Sequence, residues 1–125
     1  MNYETLLIDQ QNNITTLSFN RPDKLNAFDK QMVIETQDVI KKISDDNTTK
    51  VLIITGIGKG FSAGADLSDP NGMDDHSNDR LVYEGLVNGY MPSLKGIMDM
   101  PKPVIAAVNG PAAGIGSAFA LACDL

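Results

Sequence analysis

The first third of the chain alternates between short apolar runs and polar breaks. Apolar-rich runs at 3–9 and 14–19 flank the polar tetrad 10–13, and two such runs around a short polar loop predict a β-hairpin. Asp29 is a suitable N-cap for a helix that continues to about Ile43, because apolar residues recur on one side of that segment at helical spacing.

Two later apolar runs have the composition of buried strands. Residues 51–55 are continuously apolar and β-branched, which predicts a strand buried on both faces, and 104–108 predict a second one. Residues 81–98 carry apolar side chains every three or four positions and predict a helix that Pro92 kinks or interrupts. We interpret its apolar stripe as core or subunit interface. Residues 112–123 have no charge and many small side chains, which predicts a helix packed on all sides.

Length and composition narrow the class of protein. With 125 residues, 42% of them hydrophobic and 21% charged, the chain is expected to form one α/β domain. A net charge of −6, with Lys41 and Lys42 as the only adjacent basic pair, argues against nucleic-acid binding. No segment is apolar for long enough to span a bilayer, so we expect no membrane partner. The start of the chain lacks signal-peptide features, and one cysteine excludes an internal disulfide, so we expect a cytoplasmic protein.

The pattern most informative about chemistry is a buried strand followed by a glycine turn, which occurs twice. The first glycine turn (64–66) follows strand 51–55 and the second (110–116) follows strand 104–108. Free N–H groups at such turns attract negative charge, and two turns that meet would form an oxyanion hole with two donors. The glycines could instead serve only tight turns and close helix packing. The residues alone leave both interpretations open.

Other possible sites are weaker. Residues 56–60 resemble a nucleotide loop but lack the glycine and Ser/Thr spacing of a Walker motif, and 114–116 lack the third glycine of a dinucleotide fingerprint. The Asp-rich stretch 66–79 has the wrong spacing for an EF-hand and is interpreted as a solvated loop. His76 within it is interpreted as a surface residue, and Cys123 as a small core residue rather than a nucleophile. We therefore predict no metal site.

Three segments resemble signatures of one family. They are NRPDKLNA at 20–27 (the first motif), GFSAGADL at 60–67 (the second motif) and PKPVIAAVNG at 101–110 (the third motif). Their order and spacing are similar to those of the enoyl-CoA hydratase/isomerase (crotonase) family. The resemblance implies an α/β fold, a crotonase-like spiral of repeated β-β-α units, here truncated. Residues 1–125 would then be the N-terminal part of a single crotonase-like acyl-CoA-binding domain.

The resemblance also implies acyl-CoA chemistry. By motif position, the backbone N–H groups of Ala65 and Ile115 would form an oxyanion hole that stabilises a thioester enolate. The residues expected to bind the substrate, largely through backbone atoms, are Lys24, Leu25, Ala27, Ala63, Gly64, Asp66, Leu67 and Gly114. No separate cofactor is expected, because coenzyme A is part of the substrate.

The sequence departs from the family pattern in two respects that bear on its expected function. Ala118 occupies a position where the family's hydratases carry a catalytic Glu, so the resemblance favours an enoyl-CoA isomerase of fatty-acid or aromatic-acid breakdown. Such members take their acid/base carboxylate from further along the chain. Family domains are also about twice as long and assemble as homo-oligomers, trimers or dimers of trimers. We therefore expect a truncated chain that is inactive alone, with a hydratase or a non-catalytic CoA-ester-binding relative as the alternatives.

Overall fold

The sheet follows the chain in order. A computed structural model describes residues 2–68 and 84–125. In this part of the chain the strands are β1 (Leu6–Gln11), β2 (Ile14–Phe19), β3 (Val51–Gly56) and β4 (Val104–Ala106), and they lie side by side in that order. β1 and β2 are antiparallel, whereas β3 is parallel to β2 and β4 is parallel to β3. The parallel pairs place the ends of β3 and β4, and the loops that follow them, at one edge of the sheet.

The predicted hairpin is present, but its turn is shorter than expected. β1 continues through Gln10 and Gln11, and Gln11 pairs with Ile14. Only Asn12 and Asn13 form the turn, with φ of 53° and 66°, and a two-residue hairpin turn with two positive φ values favours asparagine. Gln10 and Gln11 were expected in the loop because they are polar, but they belong to the exposed end of β1.

The first helix agrees closely with its sequence signals. α1 (Lys30–Asp45) begins after Asp29, whose side chain accepts a hydrogen bond from the Met32 N–H at 2.8 Å. The helix ends two residues later than expected. There Lys102 Nζ donates to the carbonyl oxygens of Ile43 and Asp46, each at 2.7 Å. These bonds attach the segment that precedes β4 to the C-terminal end of α1.

The buried Glu35 anchors α1 to the start of β1. Its carboxylate accepts hydrogen bonds from the N–H groups of Glu4 (2.9 Å) and Thr5 (2.8 Å), from the Thr5 hydroxyl and from the Gln31 side chain. Burial by itself would raise the pKa of Glu35, but these hydrogen bonds hold the pKa below its usual value. The carboxylate is therefore charged and fully engaged near neutral pH.

The region around Pro92 is irregular, as the sequence predicts. A π-helical turn (Leu86–Tyr90) lies just before the proline and continues directly into α2 (Met91–Met98), of which Pro92 is the second residue. Because proline has no N–H to donate to the preceding turn, it favours a change of helix type there. The expected helix start, 81–83, lies outside the described residues.

Three expectations about burial are wrong. The predicted buried strand 104–108 is shorter than expected, because β4 ends at Ala106 and Val108 is 51% exposed. Along β3, Leu52 and Ile54 are buried while Val51 and Ile53 are only half-buried, so the described residues bury one face of this strand more fully than the other. α3 (Ile115–Ala122) is not packed on all sides, because Leu121 is 84% exposed. The described chain has too few layers to enclose either β3 or α3. No helix in residues 2–68 and 84–125 is long and apolar enough to cross a membrane.

An aromatic cluster joins the three motif regions. Phe19 on β2 contacts the rings of Phe28, Phe61 and Phe119 edge-on, with centroid distances of 5.1, 5.4 and 5.9 Å. Phe28 and Phe119 stack at 4.9 Å. Phe28 follows the first motif, Phe61 lies in the second, and Phe119 belongs to α3 after the third. Burial of these rings therefore brings distant chain segments to one place.

Candidate active site

The first motif is held against the glycine loop 56–60 by one fully buried side chain. Asn26 donates from Nδ2 to the carbonyls of Ile57 (3.0 Å) and Gly60 (2.9 Å), and its Oδ1 accepts from the Arg21 N–H at 2.8 Å. Asn26 and Leu25 have φ of 57° and 50°, a conformation that asparagine tolerates better than most residues. Both N–H donors and the oxygen of this side chain are hydrogen-bonded inside the protein.

Asn109 holds the same loop from the third motif. Its Nδ2 donates to the carbonyls of Gly58 (3.1 Å) and Gly60 (3.2 Å), and its Oδ1 accepts from the Gly56 N–H at 3.1 Å. The Gly60 carbonyl thus receives two side-chain amides, one from each flanking motif. The carbonyls of Ile57, Gly58 and Gly60 are thus bound by side chains of the flanking motifs, and the loop connects the first motif to the third.

The second motif runs beside the residues that follow Asn26. The Ala63 N–H donates to Leu25 O (2.9 Å), the Phe28 N–H donates to Gly64 O (2.7 Å), and the Asp66 N–H donates to Phe28 O (2.9 Å). These bonds form a short parallel ladder in which Phe28 pairs with Ala65. The first glycine turn is consequently fixed on the side that faces Phe28.

This ladder directs the Ala65 N–H away from Phe28. In a trans peptide the carbonyl of one residue and the N–H of the next point in opposite directions. Since Gly64 O faces Phe28, the Ala65 N–H faces the other side, and no described residue accepts a hydrogen bond from it. Gly64 has φ of +102°, which a residue with a Cβ would adopt only under strain.

The second glycine turn lies on that other side. Its neighbouring residues pair with the second motif, with the Ser62 N–H donating to Pro111 O (3.2 Å) and the Ala113 N–H donating to Ser62 O (3.0 Å). The two turns are in contact, because a Cβ added at Gly64 would lie 2.9 Å from Ala113 O and 3.7 Å from Ile115 N.

The second turn also presents an unbonded N–H. Ile115 is the first residue of α3, preceded by Gly114 with φ 55° and ψ −127°. First-turn N–H groups have no acceptor within their own helix, and no described residue accepts from Ile115. Two free amides on contacting turns, one of them at the positive end of a helix dipole, form a place where a negatively charged oxygen can bind.

The remaining predicted substrate-binding residues differ in accessibility. Five of them are exposed, namely Lys24, Leu25, Ala63, Leu67 and Gly114. Asp66 is half-buried and Gly64 is buried. Ala27 is also buried, and its carbonyl accepts a hydrogen bond from the Arg21 guanidinium. The Ala27 carbonyl is thus already bound by a side chain of the first motif.

Sequence reasoning missed Arg21, which joins the first and second motifs. Its Nη2 lies 3.1 Å from Asp66 Oδ2 and its Nε lies 3.5 Å from Asp29 Oδ2. The pKa of Asp66 is lowered, first by the Ser68 hydroxyl that donates to it at 2.6 Å and further by Arg21, against the opposing effect of burial. The sequence signal that could have indicated this ion pair was an arginine in the first motif and an oppositely charged aspartate in the second.

The other candidate residues fall elsewhere. Asp69, Asp74, Asp75, His76 and Asp79 lie outside the described residues, and among the described ones no group of three potential ligands could hold a metal ion. Cys123 is partly buried, its Sγ donates to Phe119 O at 3.3 Å, and burial raises its thiol pKa to about 11. A thiol of that kind is a poor nucleophile at neutral pH. A cavity of about 390 Å³ between α1 and α2 is lined by none of the predicted site residues.

The fold and the two contacting glycine turns agree with the crotonase family that the three motifs resemble. The chain belongs to the enoyl-CoA hydratase/isomerase family, whose sequence profile matches residues 9–125. The predicted crotonase-like α/β fold is confirmed by an enoyl-CoA hydratase structure from Bacillus anthracis, which superposes with a TM-score of 0.86 at 32% identity and covers 98% of this chain and 46% of that one.

Curated relatives carry different activities. The chain is 37% identical over 122 residues to the 1,2-epoxyphenylacetyl-CoA isomerase of Escherichia coli (strain K12), covering 98% of this chain and 46% of the relative. It is 38% identical over 125 residues to the crotonyl-CoA hydratase of Syntrophomonas wolfei, covering 99% and 46%. The chain thus spans about half the length of the curated relatives it matches.

Proposed function

We propose that this chain binds an acyl-CoA thioester and stabilises its enolate with the N–H groups of Ala65 and Ile115. The observation that carries the proposal is the contact between two glycine turns, each of which leaves one N–H without an acceptor among the described residues. One oxyanion-hole donor contributes roughly 100- to 1,000-fold to rate. The exposed residues of the first and second motifs are the proposed surface for the coenzyme A moiety.

Within this proposal the reaction is a double-bond shift. A base removes a proton from C2 of a 3-enoyl-CoA, the electron pair moves onto the thioester oxygen between the two amides, and a proton returns at C4 to give a 2-enoyl-CoA. Ala118, one helical turn after Ile115, has no carboxyl group to activate water, which favours isomerisation over hydration. The similarity to a 1,2-epoxyphenylacetyl-CoA isomerase supports isomerisation of an acyl-CoA in general.

The proposal assigns the acid/base group to sequence outside these 125 residues. Asp66, the carboxylate adjacent to Ala65, is engaged by Arg21 and Ser68. A general acid/base contributes roughly 100- to 10,000-fold, so an oxyanion hole alone would be a weak catalyst. We propose a cytoplasmic homo-oligomer, trimeric or a dimer of trimers, acting in fatty-acid or aromatic-acid breakdown.

Two alternatives have specific support. The similarity to a crotonyl-CoA hydratase favours addition of water to a 2-enoyl-CoA. The alanine at position 118, in place of a carboxylate, favours a module that binds CoA esters without turning them over.

A direct comparison of substrates tests the proposal. A protein carrying these residues at the full length of its relatives is offered a 2-enoyl-CoA and a 3-enoyl-CoA in parallel. Faster isomerisation of the 3-enoyl-CoA is expected. Faster hydration of the 2-enoyl-CoA would overturn the isomerase assignment, and binding without turnover would favour the module. The 125-residue chain alone is expected to show little or no turnover, and robust isomerisation by it would contradict that part.

A further inference from the structure

Arg21 is fixed at both its backbone and its side chain. Its N–H donates to Asn26 Oδ1 at 2.8 Å, and its guanidinium reaches the Ala27 carbonyl, the Asp29 carboxylate and the Asp66 carboxylate. Only 17% of the side chain is exposed. A planar guanidinium offers several donors in fixed directions, whereas a lysine offers a single point of charge. These contacts therefore need arginine at this position.

Asp66 connects the fixed side chain of Arg21 to the backbone beside Ala65. Its Oδ1 accepts from the Ser68 N–H (2.9 Å) and hydroxyl (2.6 Å), while its Oδ2 lies 3.1 Å from Arg21 Nη2. Its own N–H is bound to Phe28 O at 2.9 Å. Both the backbone and the carboxylate of Asp66 are thus held. The Gly64–Ala65 peptide, which carries the Ala65 N–H, is therefore bounded by the Gly64 carbonyl bound to the Phe28 N–H on one side and by the fixed Asp66 on the other.

We propose that the Arg21–Asp66 ion pair is a positioning device that holds the Ala65 N–H in the direction given by the ladder between Phe28 and Gly64. Neither side chain touches the reacting atoms. The pair locks the first glycine turn to the first motif, so that the Ala65 N–H points toward the side where Ile115 lies. This inference rests on the proposed function, because its effect is measured on an oxyanion bound by the two amides.

The test uses an equilibrium that needs no acid/base residue. A 3-ketoacyl-CoA such as acetoacetyl-CoA loses its C2 proton to water, and the resulting enolate is followed by ultraviolet absorbance. An oxyanion hole lowers the apparent pKa of this ionisation for the bound ligand. The pKa is measured at saturating concentrations of the 125-residue chain and of the variants Arg21→Lys and Asp66→Asn. Affinity for the neutral ligand is measured separately below that pKa.

The matched control is Asp99→Asn. It removes another Asp–cation pair, Lys95–Asp99 at 2.7 Å, which lies on the exposed surface at the end of α2. Arg21→Lys and Asp66→Asn are each expected to weaken enolate binding about tenfold, which raises the apparent enolisation pKa by about one unit. Affinity for the neutral ligand is expected to change less than the enolate affinity, and Asp99→Asn should leave both unchanged.

The outcomes separate positioning from stability alone. If both variants unfold at lower denaturant but keep the wild-type enolisation pKa, the ion pair is merely structural and the inference is overturned. If Arg21→Lys does not fold, Asp66→Asn decides the matter, since asparagine Oδ1 retains the acceptor for Ser68. If the wild-type chain binds the ligand without lowering its enolisation pKa, the proposed function itself fails and the inference fails with it.

Discussion

Replacement of Ile115 by proline removes one proposed donor while retaining the helix around it. Ile115 is the first residue of α3, a position where proline is favoured because its N–H has no intrahelical acceptor. Proline disfavours the α region for the residue before it, and Gly114 with ψ of −127° is already outside that region. The substitution therefore replaces a hydrogen atom that the fold does not use with the Cδ atom of proline.

The magnitude follows from the number of donors. The bound oxygen is proposed to receive two N–H groups, and loss of one oxyanion-hole donor costs about 3–4 kcal/mol. Since one pKa unit corresponds to about 1.4 kcal/mol, Ile115→Pro should raise the apparent enolisation pKa of bound acetoacetyl-CoA by roughly 2–3 units. The Cδ atom crowds the oxygen of the neutral ligand and of the enolate alike, so the difference between their affinities, which the pKa reports, isolates the lost donor.

Ile115→Ala is the matched control. It removes the half-buried isoleucine side chain, which packs against the core, but retains the N–H. Both variants should therefore lose comparable packing, measured as the free energy of unfolding in urea, while only the proline variant shifts the ligand's pKa. Equal pKa shifts in the two variants would refute the assignment of the Ile115 N–H, as would a wild-type enolisation pKa in the proline variant.

Three further substitutions test the surrounding structure. Glu35→Gln removes a carboxylate whose pKa is lowered in the fold, and charged hydrogen bonds of this kind contribute about 1.5–3 kcal/mol. A carboxylate whose pKa is lowered by folding stabilises the protein at pH values above its unfolded pKa. The difference in free energy of unfolding between wild type and Glu35→Gln, measured in urea, should therefore be full at pH 7 and shrink as the pH falls below about 4. A difference that stays constant down to pH 3 would contradict this expectation. Gly64→Ala forces a Cβ onto a residue with φ +102° and should cost about 1–3 kcal/mol and raise the enolisation pKa, whereas Gly60→Ala, whose Cβ would have 3.6 Å of clearance, should do neither. Phe119→Ala should lower the free energy of unfolding by about 3–5 kcal/mol or abolish the cooperative transition, with a smaller loss for Phe119→Leu; equal losses would contradict the importance of ring stacking.

Local signals in the sequence were sufficient where neighbours along the chain decide the structure. Asp29 caps α1 because its side chain meets an N–H three residues later, a distance the chain itself sets. The hairpin was predicted, but its turn was placed too broadly, since exposed polar residues can belong either to an edge strand or to a loop. The β-branched run of β3 indicated a strand, but its burial on both faces was wrong because burial depends on the layers that cover it.

Local signals in the sequence could not predict the contacts between the motifs. Asn26 and Asn109 stand 83 positions apart in the sequence and both donate to the Gly60 carbonyl. Strand register and the packing of the aromatic cluster create that meeting, and neither is encoded in the immediate neighbours of the two asparagines. The same is true of Arg21 and Asp66, which the resemblance places in separate motifs without connecting them.

The sequence by itself determined the elements, the family resemblance and the two glycine turns as places of close approach. It left open whether those glycines serve a ligand or only packing, because every peptide carries an N–H and most are hydrogen-bonded inside the protein. Only the tertiary structure decided which N–H groups are left without an acceptor among the described residues. The Phe28 N–H binds the Gly64 carbonyl and so turns the Ala65 N–H outward, while the start of α3 leaves the Ile115 N–H unbonded beside it.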